Sequence, residues 1–328
     1  MRIGCLGAAR IAPAALIEPA RQLDGVTVTA IAARDRSRAE EFAQTHDISG
    51  IETDYKTLIA RSDVDIVYNA LPPSRHSDLT IAALEAGKPV LCEKPFAMNA
   101  VEAKRMAEAA QRTGVLLMEA FHYRFHPAFA RALDVVNSGA LGSIIECEAE
   151  FSAEIADRPN ELRHIYELGG GALMDLGCYP LHWSRTLLPG EPKIVSATAV
   201  CGRPNVDLTT EAELVFANDV NARIRTSMAK GTARTAWFRI TGTDAALHMF
   251  NPLAAHFGYK LSIERDGQSE VISEGTAGGP TTYDHQLRHF VDCLNGKAEP
   301  ILTLEDAVAN MTAIDAIYKA AGLPARQS

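Results

Sequence analysis

No Cys-x-x-Cys pair occurs among the six cysteines, Cys5, Cys92, Cys147, Cys178, Cys201 and Cys293. Their scatter leaves no ligand spacing for a structural zinc ion, and no metal is expected. Cys5, Cys92 and Cys147 lie in strand-like apolar runs, so the thiols read as reduced, core-filling side chains. A basic surface is also missing. Acidic residues outnumber basic ones by 41 to 32, a formal net charge of −9, and no Lys/Arg cluster offsets it. That excludes nucleic acid as a partner, because binding a phosphate backbone needs cationic side chains. No apolar run approaches the roughly 18 residues that cross a bilayer, so no membrane partner is expected. No internal repeat or low-complexity tract is present. Met1 leads directly into the run Ile3-Gly4-Cys5-Leu6, no signal segment is read ahead of it, and the expected location is cytoplasmic.

What is present is a chain of 328 residues, 47% hydrophobic and 22% charged, enough for two domains with a large core. Short apolar runs at residues 2–7, 26–33, 66–71, 89–92 and 115–121 alternate with helical patterns at 13–21, 37–46, 55–60, 77–86 and 100–112. Near-continuous apolar strands alternating with amphipathic helices predict an α/β fold, a doubly wound parallel sheet covered on both faces. Asn99-x-x-Glu102 has the form of a capping box, and Gly87 and Gly114 sit where helices should stop. The pattern changes near residue 123. A helix over 128–137 is followed by strands at 144–151, 193–201, 208–216, 221–228, 235–241 and 259–263, with no helices between successive strands after 193. Such runs predict an open, mainly antiparallel sheet in a second domain. Thr276-Ala277-Gly278-Gly279-Pro280 reads as a loop before two closing helices, 283–294 and 304–321. The predicted domains are 1–122 and 123–328.

The first strand runs into Gly7-Ala8-Ala9-Arg10-Ile11-Ala12, a Gly-x-Ala-x-x-Ala variant of the dinucleotide fingerprint. Gly7 permits the tight turn, Ala9 lets the backbone approach a pyrophosphate, and Ala12 lets helix and strand pack closely. The phosphate then sits on the helix N-terminus. The second strand ends Ala33-Arg34-Asp35, where a site for NAD places an acidic residue on the ribose hydroxyls. Arg34, with Arg38 one helical turn on, suits a 2′-phosphate, because a planar guanidinium binds phosphate through two bonds. The expected cofactor is therefore NADP(H) in preference to NAD(H). Asp35 is the competing residue, which a small shift of the turn would aim at the ribose.

Lys94, in Glu93-Lys94-Pro95, directly follows the apolar run 89–92. That places it at the carboxyl end of a parallel strand, where ligands bind in such sheets. Far downstream, Gly169-Gly170-Gly171 forms a loop that allows close backbone approach. Asp175, Tyr179 and His182 follow at i, i+4 and i+7, which a helix puts on one face. If the two segments meet, a cation, a carboxylate and a phenol share a proton-transfer site.

Taken together, Gly-x-Ala-x-x-Ala, Glu-Lys-Pro and Gly-Gly-Gly-x-x-x-Asp-x-x-x-Tyr resemble the Gfo/Idh/MocA oxidoreductase family, in the branch of glucose–fructose oxidoreductase and dimeric dihydrodiol dehydrogenase. The resemblance extends over Leu71-Pro72-Pro73 with His76, over Glu119-Ala120-Phe121-His122-Tyr123-Arg124, and over Leu304-Glu305-Asp306-Ala307. It implies an N-terminal Rossmann domain, and a C-terminal domain that binds substrate and forms a homodimer or homotetramer through its sheet. A Lys-Pro bond that is commonly cis is also implied. The family's catalytic lysine and aspartate match Lys94 and Asp175. Tyr179 stands where many members carry histidine. Cofactor contacts are implied for Gly7, Ala8, Ala9, Arg10, Ile11, Ala33, Arg34, Arg38, Leu71, Pro72, His76, Glu93, Lys94, Arg124, Arg163 and Tyr283. Leu162 replaces the family's tryptophan before Arg163.

The implied reaction is hydride transfer between nicotinamide and a sugar, polyol or related carbonyl or hydroxyl compound. Tyr179 would move the proton. An ordinary phenol titrates well above neutrality, and Lys94 as a neighbouring cation would favour phenolate. His122, Tyr123 and His126 are placed on the substrate side, and His182 behind Tyr179. The alternatives are a trans-dihydrodiol or other non-sugar dehydrogenase, a nonredox lyase, and a non-catalytic dinucleotide sensor.

Overall fold

A computed structural model describes residues 1–327. The chain divides into two compact units, one formed by Met1–Phe121 with Tyr283–Val308, the other by His122–Thr282 with Ala309–Ser328. The sequence reading assigns all of 123–328 to the second domain. Residues 283–308 depart from that, because the helix Thr282–Leu294 buries Leu287 and Phe290, one helical turn apart, within the first unit.

The first unit holds β1 (Arg2–Leu6), β2 (Thr27–Ala32), β3 (Gly50–Glu52), β4 (Ile66–Asn69), β5 (Val90–Cys92) and β6 (Leu117–Glu119). They form a sheet in the order β3-β2-β1-β4-β5-β6, every pair parallel. This is the Rossmann arrangement, in which the strand order reverses beside the first strand and leaves a crevice at the carboxyl ends. β3 is missing from the sequence reading, since three residues give too short a pattern to stand out. Three of the flanking helices start on side-chain caps. Asp35, Asp54 and Asn99 accept backbone N–H bonds from Arg38, Thr57 and Glu102. Glu102 in turn accepts from the Met98 N–H at 3.0 Å. The helix Ala100–Thr113 buries Ala103, Met106, Ala107 and Ala110 along one stripe and ends on Gly114 at φ 67°. Burying a side chain the size of Met106 contributes about 1.5–3 kcal/mol. Losing the Asn99 cap to alanine would cost about 1 kcal/mol.

The second unit is built on β7 (Ile144–Ser152), β8 (Lys193–Cys201), β9 (Asp207–Val215), β10 (Asn221–Ser227), β11 (Thr235–Gly242), β12 (Ala246–Phe250), β13 (Phe257–Arg265) and β14 (Gln268–Ala277). Their order is β14-β13-β12-β11-β7-β10-β9-β8, antiparallel throughout except for β7 with β10. Two strands go beyond the sequence reading. β12 is Ala-Leu-His-Met-Phe and has no β-branched residue to mark it. β14 returns from β13 through Asp266-Gly267, both at positive φ (49° and 74°), the pairing that a two-residue hairpin turn requires. Thr276 and Ala277 therefore belong to a strand, and the loop begins at Gly278.

Candidate active site

The carboxyl edge of the first sheet gathers the residues singled out in the first half of the sequence. Leu6 pairs with Ala32 and with Asn69, Asn69 with Cys92, and Cys92 with Glu119. Gly7, Ala33, Leu71, Glu93 and Lys94 lie one or two positions beyond that row. Gly7 turns at φ 98°, donates its N–H to Ala32 C=O at 2.8 Å, and leaves little room for a Cβ, which would lie 3.0 Å from Leu71 Cδ2. Ala8 and Ala12 are buried, Ala9 is half-buried, and Arg10 and Ile11 are exposed. A tight glycine turn, two small residues and a following helix fit a dinucleotide pyrophosphate.

The residues at the end of β2 divide their tasks. Asp35 is the N-cap of the helix Arg36–His46, its carboxylate accepting from Arg38 N–H at 3.0 Å. Arg38 donates from Nη2 to Ala8 C=O at 2.8 Å and so ties that helix to the glycine turn. Arg36 pairs with Glu40. Arg34 is exposed and makes no ion pair among the described residues.

Around Lys94 the edge is braced. The Lys94–Pro95 bond is cis, and Lys94 is half-buried. Glu93 is buried and accepts the Tyr68 O–H at 2.6 Å. Burial pushes the Tyr68 phenol well up, and Glu93 adds to that. Asn69 accepts from Leu71 N–H at 3.3 Å and donates to Thr80 Oγ1 at 3.2 Å. His76 is fully buried, with Nε2 2.7 Å from Leu71 C=O and Nδ1 3.0 Å from Pro95 C=O. It ties the loop after β4 to the turn after β5. Burial lowers its pKa, while the carbonyl contacts act in the opposite direction. Tyr283, half-buried, also belongs to this unit, within electrostatic reach of Tyr68.

Asp175, Tyr179, His182, Arg163 and Arg124 stand on the second unit. The helix that carries the first three opens as a wider π-type turn, Leu173–Gly177, and continues as an α-helix, Cys178–Leu187. The side chains take different partners. Asp175 Oδ2 receives Arg163 Nε at 2.8 Å, and Arg163 Nη1 also reaches Glu161 at 2.9 Å. The two carboxylates hold the Arg163 guanidinium well above its ordinary range, Asp175 having the largest effect. The glycine loop makes this pairing possible. Gly170 and Gly171 donate to Ile165 C=O and Arg163 C=O, each at 2.9 Å, and a Cβ on Gly170 would lie 2.7 Å from both carbonyl oxygens. Arg124 lies over the Phe129 ring, 5.6 Å from its centroid. His126 accepts from Ala128 N–H at 3.1 Å and so caps the helix Pro127–Asn137.

Tyr179 is buried among Phe151, Tyr123 and Trp183, with ring centroids 5.6, 6.1 and 6.3 Å away. Its hydroxyl lies 3.3 Å from His122 Nε2. His122 Nδ1 is 2.7 Å from Thr282 Oγ1, and Thr282 Oγ1 is 3.2 Å from His256 Nδ1. His182, fully buried, pairs through Nδ1 with the Tyr123 hydroxyl. The sequence reading has neither Thr282 nor His256, and no local signal marks them. Asn69 did have one, as a polar residue closing the apolar run Ile66-Val67-Tyr68.

A glycine-turned parallel sheet with a cation at its carboxyl edge, and a buried phenol on an imidazole, define the class as a dinucleotide-dependent oxidoreductase. Residues 1–121 match the oxidoreductase family with an NAD-binding Rossmann fold, and residues 129–248 match the GFO/IDH/MocA C-terminal domain. The chain belongs to the Gfo/Idh/MocA family. It is similar to D-xylose 1-dehydrogenase (NADP(+)) 2 of Haloferax volcanii, at 35% identity over 98% of this chain and 97% of the relative. It is also similar to trans-1,2-dihydrobenzene-1,2-diol dehydrogenase of Macaca fascicularis, at 34% identity over 90% and 89%. Among solved structures it resembles a 3-ketoreductase from Actinomadura kijaniata in complex with NADP and TDP-benzene. That match has a TM-score of 0.88 and 28% identity, over 98% of this chain and 97% of the other. No helix among the described residues is long and apolar enough to cross a membrane.

Proposed function

We propose that this oxidoreductase uses NADP(H) to transfer a hydride between nicotinamide and a sugar, polyol or related carbonyl or hydroxyl compound, with Lys94, Asp175 and Tyr179 as the groups that handle the substrate. The carrying observation is the buried Tyr179 hydroxyl 3.3 Å from an imidazole nitrogen, a phenol equipped to give and take a proton. The likeness to a D-xylose dehydrogenase supports the sugar class. Nicotinamide, when bound, supplies or accepts the hydride. The turn Gly7 to Ile11 holds the pyrophosphate, Ala33 and Arg34 receive the adenosine ribose and its 2′-phosphate, and Leu71, Pro72 and Glu93 line the same edge. Arg38 and His76 serve that site by bracing its turns. Arg124, Arg163 and Tyr283 are the remaining cofactor contacts, with Arg163 also orienting Asp175. Lys94 donates to the substrate oxygen, and Tyr179 takes its proton in oxidation and returns it in reduction.

A trans-dihydrodiol substrate is the second reading, favoured by the aromatic rings packed around Tyr179. A panel of sugars, polyols and dihydrodiols, headed by D-xylose and run with NADP+ and NAD+, separates the two. On the best substrate, Tyr179→Phe and Lys94→Ala should each lower kcat by about 100-fold or more while NADPH still binds. Near-normal turnover in either variant refutes that residue's role.

The second sheet is also proposed to join copies of the chain into a homodimer or homotetramer. Phe250 and its β11 partner Trp237 alternate with the buried Leu247, Met249 and Phe238, and Phe250 is 52% exposed.

A further inference from the structure

Thr282 fixes the direction of a hydrogen-bonded chain that ends on Tyr179. Its backbone N–H donates to His256 Nδ1 at 3.2 Å, so that nitrogen carries no proton. The Thr282 hydroxyl, 3.2 Å from the same nitrogen, can only donate to it. Its single proton thus engaged, Thr282 Oγ1 accepts from His122 Nδ1 at 2.7 Å. His122 in its neutral form then presents the lone pair of Nε2 to the Tyr179 O–H. Tyr179, His122, Thr282 and His256 are all buried, so bulk water does not reach the phenol freely.

We propose that His122, Thr282 and His256 form a proton relay that carries the Tyr179 proton. The inference rests on the reading of Tyr179 as the group that exchanges a proton with substrate. In alcohol oxidation the substrate O–H bond breaks and its proton forms a new O–H bond on the Tyr179 oxygen. The former phenol proton moves to His122 Nε2, the Nδ1 proton of His122 moves to Thr282 Oγ1, and the Thr282 proton moves to His256 Nδ1. Each oxygen and nitrogen between the ends gains one proton and loses one, so only the substrate oxygen and His256 change protonation. The hydride leaves the substrate carbon for the nicotinamide, which supplies the redox half. Carbonyl reduction runs the same transfers backwards. None of the three residues needs to touch substrate; they act through Tyr179 as positioning residues for its proton.

Thr282→Val keeps the shape and the backbone N–H but removes the hydroxyl, and Thr282→Ser restores it. Steady-state kinetics with NADP+ and D-xylose, or the fastest substrate of the panel above, should show kcat about 10- to 100-fold lower in Thr282→Val. The KM for NADP+ should be unchanged, and Thr282→Ser should recover most of the rate. The solvent deuterium isotope effect on kcat should rise in Thr282→Val, and His122→Asn should reproduce the loss. Wild-type kcat and isotope effect in both Thr282→Val and His122→Asn overturn the relay. Equal losses in Thr282→Val and Thr282→Ser, with KM for NADP+ raised, also overturn it and make Thr282 a packing residue. Turnover retained in Tyr179→Phe is a different result, which removes the underlying reading instead.

Discussion

Arg34 and Asp35 are neighbours with opposite charges, the first proposed to hold a 2′-phosphate and the second capping a helix. Because Asp35 caps the helix Arg36–His46, Asp35→Ala should lower stability by about 1 kcal/mol and leave the choice between NADP(H) and NAD(H) unchanged. Arg34→Ala should do the reverse. Charge-assisted hydrogen bonds of about 1.5–3 kcal/mol correspond to a KM for NADP(H) raised about 10- to 100-fold, with little change for NAD(H). Paired thermal melts and steady-state kinetics check both, and an unchanged preference in Arg34→Ala refutes the phosphate reading. His76 offers a pH test. Its pKa is lowered from 6.5 in the folded chain, chiefly by burial. Above its ordinary value both states hold it neutral and it adds no pH dependence. As pH falls below about 6.5 the unfolded chain binds the proton first, so stability drops progressively toward the folded value. In His76→Gln, whose amide can donate to both carbonyls without titrating, urea midpoints should fall less between pH 7 and 5. An equal fall refutes the assignment. Lys94 was legible because an apolar strand leads straight into it. Thr282 was not, since its bond to His122 spans 160 residues and leaves no local trace.

Among the elements, the glycine loop before the Tyr179 helix shows how a motif can be seen and its reason missed. Three glycines announce close approach, but the atoms that Gly171 approaches lie far away in sequence. A Cβ on Gly171, already at φ 132°, would lie 2.2 Å from Asp207 Oδ1 and 2.4 Å from Arg326 Nη2. Those atoms form a fully buried ion pair at 3.0 Å, joined by the Tyr318 hydroxyl 2.8 Å from Asp207 Oδ1. Asp207 also accepts the Leu173 N–H at 2.7 Å, at the start of the Tyr179 helix. Gly171→Ala should therefore cost about 3 kcal/mol or more, combining overpacking with backbone strain. Gly231→Ala, at φ 81° with nothing within 4 Å, should cost only the strain, about 1–2 kcal/mol. Urea unfolding of the two variants checks the difference, and equal losses refute the packing explanation. Strand and helix positions other than β3, β12 and β14 were readable from alternation and caps, whereas the π-type opening at Leu173–Gly177 left no mark on the hydrophobic pattern.

For the whole molecule, the proposed association through the second sheet predicts a solution mass of two or four times 35.4 kDa by light scattering. Phe250→Lys should shift that mass downward, because a cation would then have to be buried. An unchanged multiple clears Phe250 of the interface, and a single-chain mass for the wild type refutes association. The order of the sheets was readable only as far as successive strands pair; the parallel contact of β7 with β10 joins strands with two others between them in the chain. The connectivity of the units carries a practical consequence. The chain passes between them after Phe121, after Thr282 and after Val308, so each unit is made of two separate stretches. A single cut therefore never yields one intact unit. Recombining the first unit with a relative's second unit requires splicing at all three crossings, with residues 283–308 travelling with the first 121 and the Arg326 tail with its Asp207.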